Sequence, residues 1–137
     1  MADKARRVEY YYIQVPDQPG EGFSALAKLK EAGVNLIAFL AFPVAGGKTQ
    51  MDFVPEAPDK FLAVAQAAGW QLSPKKEALY VVGSDRPGAA ASVLEKLASA
   101  KVNAVATSGM VGQGGGYGVV VWVKPKDLDA AAKAVGA

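Results

Sequence analysis

The sequence predicts an α+β fold built from two tandem βαββαβ repeats, each an antiparallel sheet with its helices on one face. Two observations lead to this prediction. Residues 12–63 match residues 80–131 without a gap. Within each copy the apolar residues change from strand spacing to helix spacing and back. We therefore assign residues 1–75 to repeat 1 and residues 76–137 to repeat 2.

The clearest match between the copies is a turn. The tetrad Asp17-Gln18-Pro19-Gly20 recurs 68 residues later as Asp85-Arg86-Pro87-Gly88. One shared Pro-Gly pair could arise by chance, but a series of identities in the same register indicates duplication. The further identical pairs are Leu26 and Leu94, Lys28 and Lys96, Leu29 and Leu97, Ala32 and Ala100, Val34 and Val102, Asn35 and Asn103, Gly46-Gly47 and Gly114-Gly115, and Asp59 and Asp127.

The first half of each repeat reads as strand, turn and helix. Residues 9–15 and 78–83 are rich in β-branched and aromatic side chains, which favours strands. Proline and glycine in the tetrad suit the second and third positions of a turn. A helix of about 11 residues follows, with leucines three or four apart on one face. Gly33 is a good helix stop, whereas Lys101 at the matching place is a poor one.

The second half of each repeat reads as a hairpin and a second helix. Glycines at 46–47 and 112–116 predict the hairpin turns. Asp59 and Asp127, each near a proline, are candidate caps of the second helix. The predicted strands are residues 36–42 and 50–54 in repeat 1, residues 104–111 and 119–123 in repeat 2, and residues 70–72 as the fourth strand of repeat 1.

Repeat 2 ends before a fourth strand. Gly136-Ala137 aligns with Ala68-Gly69, so the strand that should lie beside residues 79–83 is missing. An uncovered strand edge is a liability. We predict that this edge is paired by the segment after Trp70, by the N-terminal arm, or by another subunit.

Composition excludes several classes of function. The chain has no Cys and no His, which removes thiol nucleophiles, thiolate metal sites and the commonest general base. We predict no cofactor and no metal. The net charge of +2 gives little support for nucleic-acid binding, and Lys4, Arg6 and Arg7 read as a solvated, frayed tail. No signal peptide or membrane span is visible, so the cytoplasm is the expected location.

The repeated loop has the chemistry of an amino-acid site. Helix N-terminal amides favour a carboxylate, and Gly20 and Gly88 allow a ligand to approach the backbone. Asp17 and Asp85 could accept from an ammonium group. The amide side chains of Asn35 and Asn103 could bind both charged ends of a ligand. Each residue also has a structural interpretation: the aspartates cap or tie a turn, and the asparagines begin a strand.

The blocks DQPGEG…EAGVNLIAF and DRPGAA…SAKVNAVAT resemble the ACT domain, a ferredoxin-like module that binds amino acids. The resemblance covers nearly the whole chain. The junction WQLSPKKEALYVVGSDRPG is similar to that of stand-alone tandem ACT proteins of prokaryotes. In ACT modules the ligand lies where two modules meet. The resemblance therefore implies that the loop from Asp17 to Glu21 pairs with Asn103, and the loop from Asp85 to Ala89 with Asn35.

The resemblance implies a regulatory protein without catalysis, a homodimer, and a separate regulated enzyme as partner. The alternative within the family is a purely structural assembly module that binds nothing. Three departures are Lys101 in place of Gly, the missing last strand, and Arg86 where repeat 1 has Gln18. Arg86 could hold a carboxylate with two hydrogen bonds. The candidate ligand-binding residues are Asp17, Gln18, Pro19, Gly20, Glu21, Asn35, Asp85, Arg86, Pro87, Gly88, Ala89 and Asn103.

Two other functions compete. Tyr10, Tyr12 and Tyr80 should lie on the helix-free face, where tyrosine usually marks packing against another layer. The rival interpretation is RNA stacking, because the strand around Tyr80 and the segment around Tyr117 faintly resemble the signatures of an RNA recognition motif. An enzyme would need a carboxylate pair such as Asp52 and Glu56, or Asp127 and Asp129. We expect Asp127 to be a cap and Asp52 to point outward from its strand.

Overall fold

A computed structural model describes residues 3–137, and the α+β prediction is confirmed. Every strand pairing that has a defined register is antiparallel. The strands are β1 (Lys4–Pro16), β2 (Leu36–Val44), β3 (Lys48–Pro55), β4 (Lys76–Ser84), β5 (Ala104–Val111) and β6 (Gly116–Val123), and the helices are α1 (Glu21–Glu31), α2 (Pro58–Ala68), α3 (Ala89–Ser99) and α4 (Leu128–Val135).

The chain divides into two compact units. The first unit is Glu9–Lys76, and its strand order is β2-β3-β1. The second unit combines residues 3–8 with Glu77–Ala137, and its strand order is β1-β4-β6-β5. β1 therefore supplies its first part to the second unit and its remainder to the first unit.

Aromatic rings form the core of the first unit. Tyr11 and Ile13 of β1 face the helices, as their alternation with Tyr10 and Tyr12 predicts. Phe61 of α2 is completely buried, with ring centroids 5.6 Å from Tyr11 and 5.4 Å from Phe53. This cluster fixes α1 and α2 on one face of the sheet.

Aliphatic side chains form the core of the second unit. Leu79 of β4 lies opposite Val121 of β6, and both are completely buried. Val93 and Leu97 of α3 pack onto them at a spacing of four residues, which places both on one face of the helix. The alanines of α4 complete the layer, so the two units differ in core chemistry but share the arrangement of helices on one face.

The N-terminal arm provides the missing edge strand of the second unit. β1 neighbours β4 in the strand order, which confirms the predicted pairing and selects the arm among the three alternatives. Val8 is buried, Arg7 forms an ion pair of 3.7 Å with Glu77, and the guanidinium of Arg6 lies 5.5 Å from the ring centroid of Tyr80. The expectation of a frayed tail is wrong from Lys4 onward, because backbone pairing with β4 orders these residues.

Two local predictions fail for identifiable reasons. Residues 70–72 do not form a strand. Instead the Ser73 N–H donates to the Tyr12 carbonyl at 3.0 Å, and the Tyr12 N–H donates to the Ser73 hydroxyl at 3.0 Å. The serine side chain therefore takes the place of the backbone carbonyl that a paired strand would offer to Tyr12. Asp59 does not cap α2, since the helix begins at Pro58 with Ala57 as its cap.

The two copies share fine backbone details. The pairing register shifts between Leu36 and Ala38 in the first copy and between Ala104 and Ala106 in the second, at matching positions. After the first helix of each copy, Gly33 has φ +71° and Lys101 has φ +58°. Lys101 is thus a non-glycine residue in the left-handed region, as its position relative to Gly33 suggested.

Candidate functional site

The two tetrads have the same backbone arrangement. The Asp17 N–H donates to the Gly47 carbonyl at 2.9 Å, and the Asp85 N–H donates to the Gly115 carbonyl at 2.8 Å. In both copies, therefore, the loop after the first strand is tied to the hairpin between the next two strands. Gly20 has φ +91° and Gly88 has φ +84°, and each begins a helix without a side-chain cap.

In the first loop Asp17 serves as a turn anchor. The Thr49 hydroxyl donates to its carboxylate at 2.9 Å, which links the loop to β3. Gln18, Pro19 and Gly20 are exposed, while Glu21 is half-buried at the start of α1. Phe23, in the first turn of α1, is 76% exposed. This loop presents backbone amides beside an exposed aromatic ring.

In the second loop an arginine already holds a carboxylate. The Arg86 guanidinium donates from Nη1 and Nη2 to the two oxygens of Asp3, both at 3.3 Å. A further bond of 2.9 Å from Nη1 to the Ser84 carbonyl fixes the side chain. The guanidinium carbon lies 5.7 Å from the ring centroid of Tyr117. Arg86 is therefore oriented for two-point recognition of a carboxylate, as the sequence suggested.

Tyr117 occupies the position that Thr49 has in the first copy. It is 7% exposed, and no partner of its hydroxyl meets hydrogen-bond geometry. The hydroxyl is nevertheless close enough to Asp3 to lower the pKa of that carboxyl, with Arg86 as the next cause. Burial and the Asp3 carboxylate raise the pKa of Tyr117. The group is a neutral phenol facing the carboxylate that Arg86 holds.

A cleft of about 540 Å³ opens beside this loop, entirely within the second unit. Its volume is in the range of small-molecule sites. Arg86 and Asp85 are its charged residues, and Gly88 exposes backbone at one end. Its other lining residues are Ala89, Ala90 and Ala91 of α3, Gly109, Met110 and Val111 of β5, and Tyr117 and Val119 of β6.

The asparagines lie away from the loops of their own unit. Asn35 precedes β2 and donates to Glu56 Oε2 at 2.9 Å, and Asn103 is exposed just before β5. Each follows the C-terminal end of a helix whose N-terminus carries the loop, and 11 helical residues span about 16 Å. A loop and the asparagine of the same unit therefore cannot bind one ligand together.

Three exposed residues near the loops were missed from the sequence. Phe23 lies beside the first loop, and Met110 and Val111 line the cleft with exposures of 78% and 57%. The sequence does contain a signal for Phe23. It stands in the first turn of its helix at the position that matches Ala91, so the two copies differ there. For Met110 and Val111 the strand alternation gave no reason to separate them from core residues.

Three of the four carboxylates considered for catalysis have other partners. Asp52 accepts from the Gln50 amide at 2.9 Å, Glu56 accepts from Asn35, and Asp129 pairs with Arg7 at 3.0 Å. Asp127 stands at the cap position of α4 but makes no side-chain cap bond. Within residues 3–137 no cluster of three potential metal ligands occurs.

Of the two tyrosines on which the RNA interpretation rests, Tyr117 is buried and Tyr80 is half-buried. Tyr117 belongs to the core under the helices, so it is not on the sheet face where RNA would lie. Arg6 lies over Tyr80, and the Lys76 ammonium lies 5.7 Å from the ring centroid of Tyr12.

In the described part of the chain, no helix is long and apolar enough to span a membrane.

Asp52 points away from the helices, as expected of an outward strand residue, but it is buried. It is 6% exposed and lies opposite Tyr12 in the sheet. Desolvation raises its pKa, against the opposing effects of Gln50 and Lys76. Burial also raises the pKa of the nearby Tyr10, and the Asp52 carboxylate adds to that rise.

Asp52→Asn is expected to stabilise the protein at neutral pH by roughly 1 kcal/mol, the usual scale for a buried polar change. A raised pKa in the folded state favours the protonated form. The Asp52 side chain therefore contributes its full stability below pH 3.8, the ordinary pKa of an aspartate. This contribution is lost as the pH rises through the pKa of Asp52 in the folded state. Urea unfolding at pH 4 and pH 7 should show the gain only at the higher pH. A loss at pH 7 would show that Lys76 compensates the buried charge.

No family model matches the sequence, and no curated protein matches it. Solved structures do match the fold. Protein BT0572 from Bacteroides thetaiotaomicron aligns with a TM-score of 0.82 at 17% identity, over 96% of this chain and 88% of that one. The ligand-free regulatory subunit of aspartate kinase from Thermus thermophilus aligns with a TM-score of 0.65 at 20% identity, over 98% and 94%. A putative C-terminal regulatory domain of aspartate kinase from Porphyromonas gingivalis gives 0.54 at 14% identity, over 98% and 94%.

Proposed function

We propose that this chain is a regulatory protein built of two ACT domains, which binds a small ligand, an amino acid, at its Asp-x-Pro-Gly loops and has no catalysis of its own. The fold supports the proposal, since it has the βαββ arrangement twice and aligns with solved structures over nearly the whole chain. Two of those structures are named as regulatory parts of aspartate kinase. Asp52, Glu56 and Asp129, three of the four carboxylates that a catalytic pair would use, bind other side chains, which also favours a binding role.

The observation that carries the proposal is the carboxylate held by Arg86 at the edge of the cleft. A free amino acid presents a carboxylate, an ammonium group and a side chain. Arg86 provides the two-point donor, and Asp85 lies in the same cleft as an acceptor for the ammonium. Met110, Val111 and Val119 offer apolar surface for the ligand's side chain. The cleft therefore suits an amino acid with an apolar side chain.

The two loops would not bind equivalently. The first loop has Gln18 in place of Arg86, and Thr49 in place of Tyr117. Its Asp17 is already engaged by Thr49. We propose the second loop as the stronger site. Asn35 and Asn103 would complete the sites from a neighbouring module, because each lies too far from its own unit's loop.

Assembly into a homodimer fits the edges of both sheets. β2 and β5 are edge strands in their units, and neither carries a charged residue. Phe39 of β2 is 50% exposed, and Val105 of β5 is 63% exposed. Uncharged edges are open to strand pairing. The regulated enzyme would be a separate protein, and a cytoplasmic location stays a prediction.

Ala91→Phe is expected to weaken amino-acid binding at least about tenfold, because the ring would fill the cleft that Ala91 lines. A thermal-shift screen of the twenty amino acids would first identify the ligand, since a ligand that binds only the folded state raises Tm. Calorimetry would then measure its affinity. Ala98→Phe, exposed on the same helix outside the cleft, is the matched control and should bind as the wild type does.

Absence of any shift from all twenty amino acids, together with a stable dimer in sedimentation, would contradict the sensing role. It would favour the purely structural alternative, for which the uncharged edges of β2 and β5 are the supporting observation. Equal affinity in Ala91→Phe and the wild type would place the ligand outside the cleft.

A further inference from the structure

We propose that Asp3 is an intramolecular competitor, whose carboxylate occupies on Arg86 the place that a ligand carboxylate would take. The inference rests on the proposed function, because it takes the cleft as the binding site. It adds a form of regulation: binding must displace Asp3, and displacement loosens the start of β1.

The place that Asp3 occupies is built for a carboxylate. A Cβ at Gly83 would overlap the Asp3 carboxylate and would come within 2.8 Å of the Tyr117 ring. Only glycine at position 83 leaves this space open. The Asp3 side chain is 11% exposed although it lies near the beginning of the chain. The carboxylate is thus enclosed by backbone, a phenol ring and a guanidinium.

The first copy lacks each part of this arrangement. Val15 stands at the position of Gly83, Gln18 at that of Arg86, and Thr49 at that of Tyr117. The three differences come together at one place, beside the Asp, Pro and Gly of the tetrad that both copies keep. This coincidence indicates that the second loop has been adapted to a carboxylate.

Arg86 cannot bind two carboxylates through the same pair of Nη1 and Nη2 hydrogens. Nη1 has two hydrogens, of which one serves Ser84 and the other Asp3. Nη2 serves the second oxygen of Asp3. The Nε–H and the second Nη2 hydrogen are not used by these bonds, so a ligand must replace Asp3 if its carboxylate takes the two-point position between Nη1 and Nη2.

The competition is weak enough for a ligand to overcome. Both distances are long at 3.3 Å, and the Arg86 side chain is 43% exposed. Ion pairs with this exposure contribute little. Removing Asp3 should raise affinity for a carboxylate by about three- to tenfold.

Ligand binding and β1 are coupled in both directions. By linkage, a ligand that displaces Asp3 loosens β1 by the same factor by which Asp3 weakens binding. Arg7 keeps its pairs with Glu77 and Asp129, so only the first residues of β1 should open. Amide exchange at Lys4 and Ala5 should therefore increase when the ligand is bound.

The test compares Asp3→Asn with the wild type, using acetate as the minimal carboxylate and L-leucine as an apolar amino acid. Binding is measured by NMR titration of the backbone amide signals of Gly88 and Ala89, which line the cleft and are present in every variant. We expect Asp3→Asn to bind both probes about three- to tenfold more tightly. Asp129→Asn, which removes another arginine-paired carboxylate in the same unit, is the matched control and should not change affinity.

A double-mutant cycle separates competition from general charge effects. In the Arg86→Gln background, the gain from Asp3→Asn should vanish. A gain that persists there, or one that Asp129→Asn reproduces, would overturn the inference. Equal affinity of Asp3→Asn and the wild type would also overturn it, yet would leave the proposed function standing. If neither protein binds either probe, the inference fails, and the twenty-amino-acid screen decides the proposed function separately.

Discussion

Phe61→Ala is expected to lower the free energy of unfolding of the first unit by about 3–5 kcal/mol. Phe61 is completely buried, and its ring contacts those of Tyr11, Phe53 and Trp70, with centroids no more than 6.1 Å apart. Truncation would remove the ring that joins these three and would leave a cavity that rigid neighbours cannot fill. Urea unfolding followed by the fluorescence of Trp70, in a Trp122→Phe background, would measure the loss.

The neighbouring leucine provides the control. Leu62 is 37% exposed in the same turn of α2, so Leu62→Ala should cost less than about 1 kcal/mol. Equal costs for the two variants would contradict the packing described for the first unit.

Removal of residues 1–8 is expected to destabilise the second unit, although most of that unit lies at the other end of the sequence. The deletion removes buried Val8, the Arg7 ion pairs and the backbone partner of β4. Together these losses should amount to at least about 3 kcal/mol. Alternate amides of a strand point to opposite neighbours, so either Val81 or Val82 donates toward β1. Hydrogen exchange at that amide should become as fast as in a loop.

Val8→Ala is the matched control, because it shortens a side chain and keeps the backbone pairing. It should cost roughly 1–2 kcal/mol and leave Val81 and Val82 protected. Protection of both amides after the deletion would mean that β4 does not depend on the arm.

Local patterns predicted most of the fold. β5 begins and ends where the sequence indicated, because apolar alternation stops at the hairpin glycines. The failures involve competition between groups that a pattern does not rank. Pro58 outcompetes Asp59 for the start of α2, and the Ser73 hydroxyl replaces a ladder bond that a strand through residues 70–72 would have made.

The candidate site was predicted less completely, since its parts come from distant segments. The repeated tetrads could be inferred from the sequence match, and the two-point hold of Arg86 on a carboxylate from guanidinium chemistry. Asp3 could not, because a single aspartate near the beginning of the chain has no pattern around it. Asp52 was misjudged because strand alternation gives a side chain's face but not whether that face is covered.

The division of β1 between the two units has a consequence for the order of folding. Residues 4–8 leave the ribosome before the first unit, yet their partner β4 is made only after the whole of that unit. A contact between segments so far apart is entropically costly in an open chain. Folding of the first unit removes much of that cost, because it brings the Lys75 Nζ atom within 3.7 Å of the Glu9 Oε1 atom. The segments that precede Glu9 and follow Lys75 are then close together. Nascent chains should therefore complete the first unit early, and refolding of the second unit should wait for it.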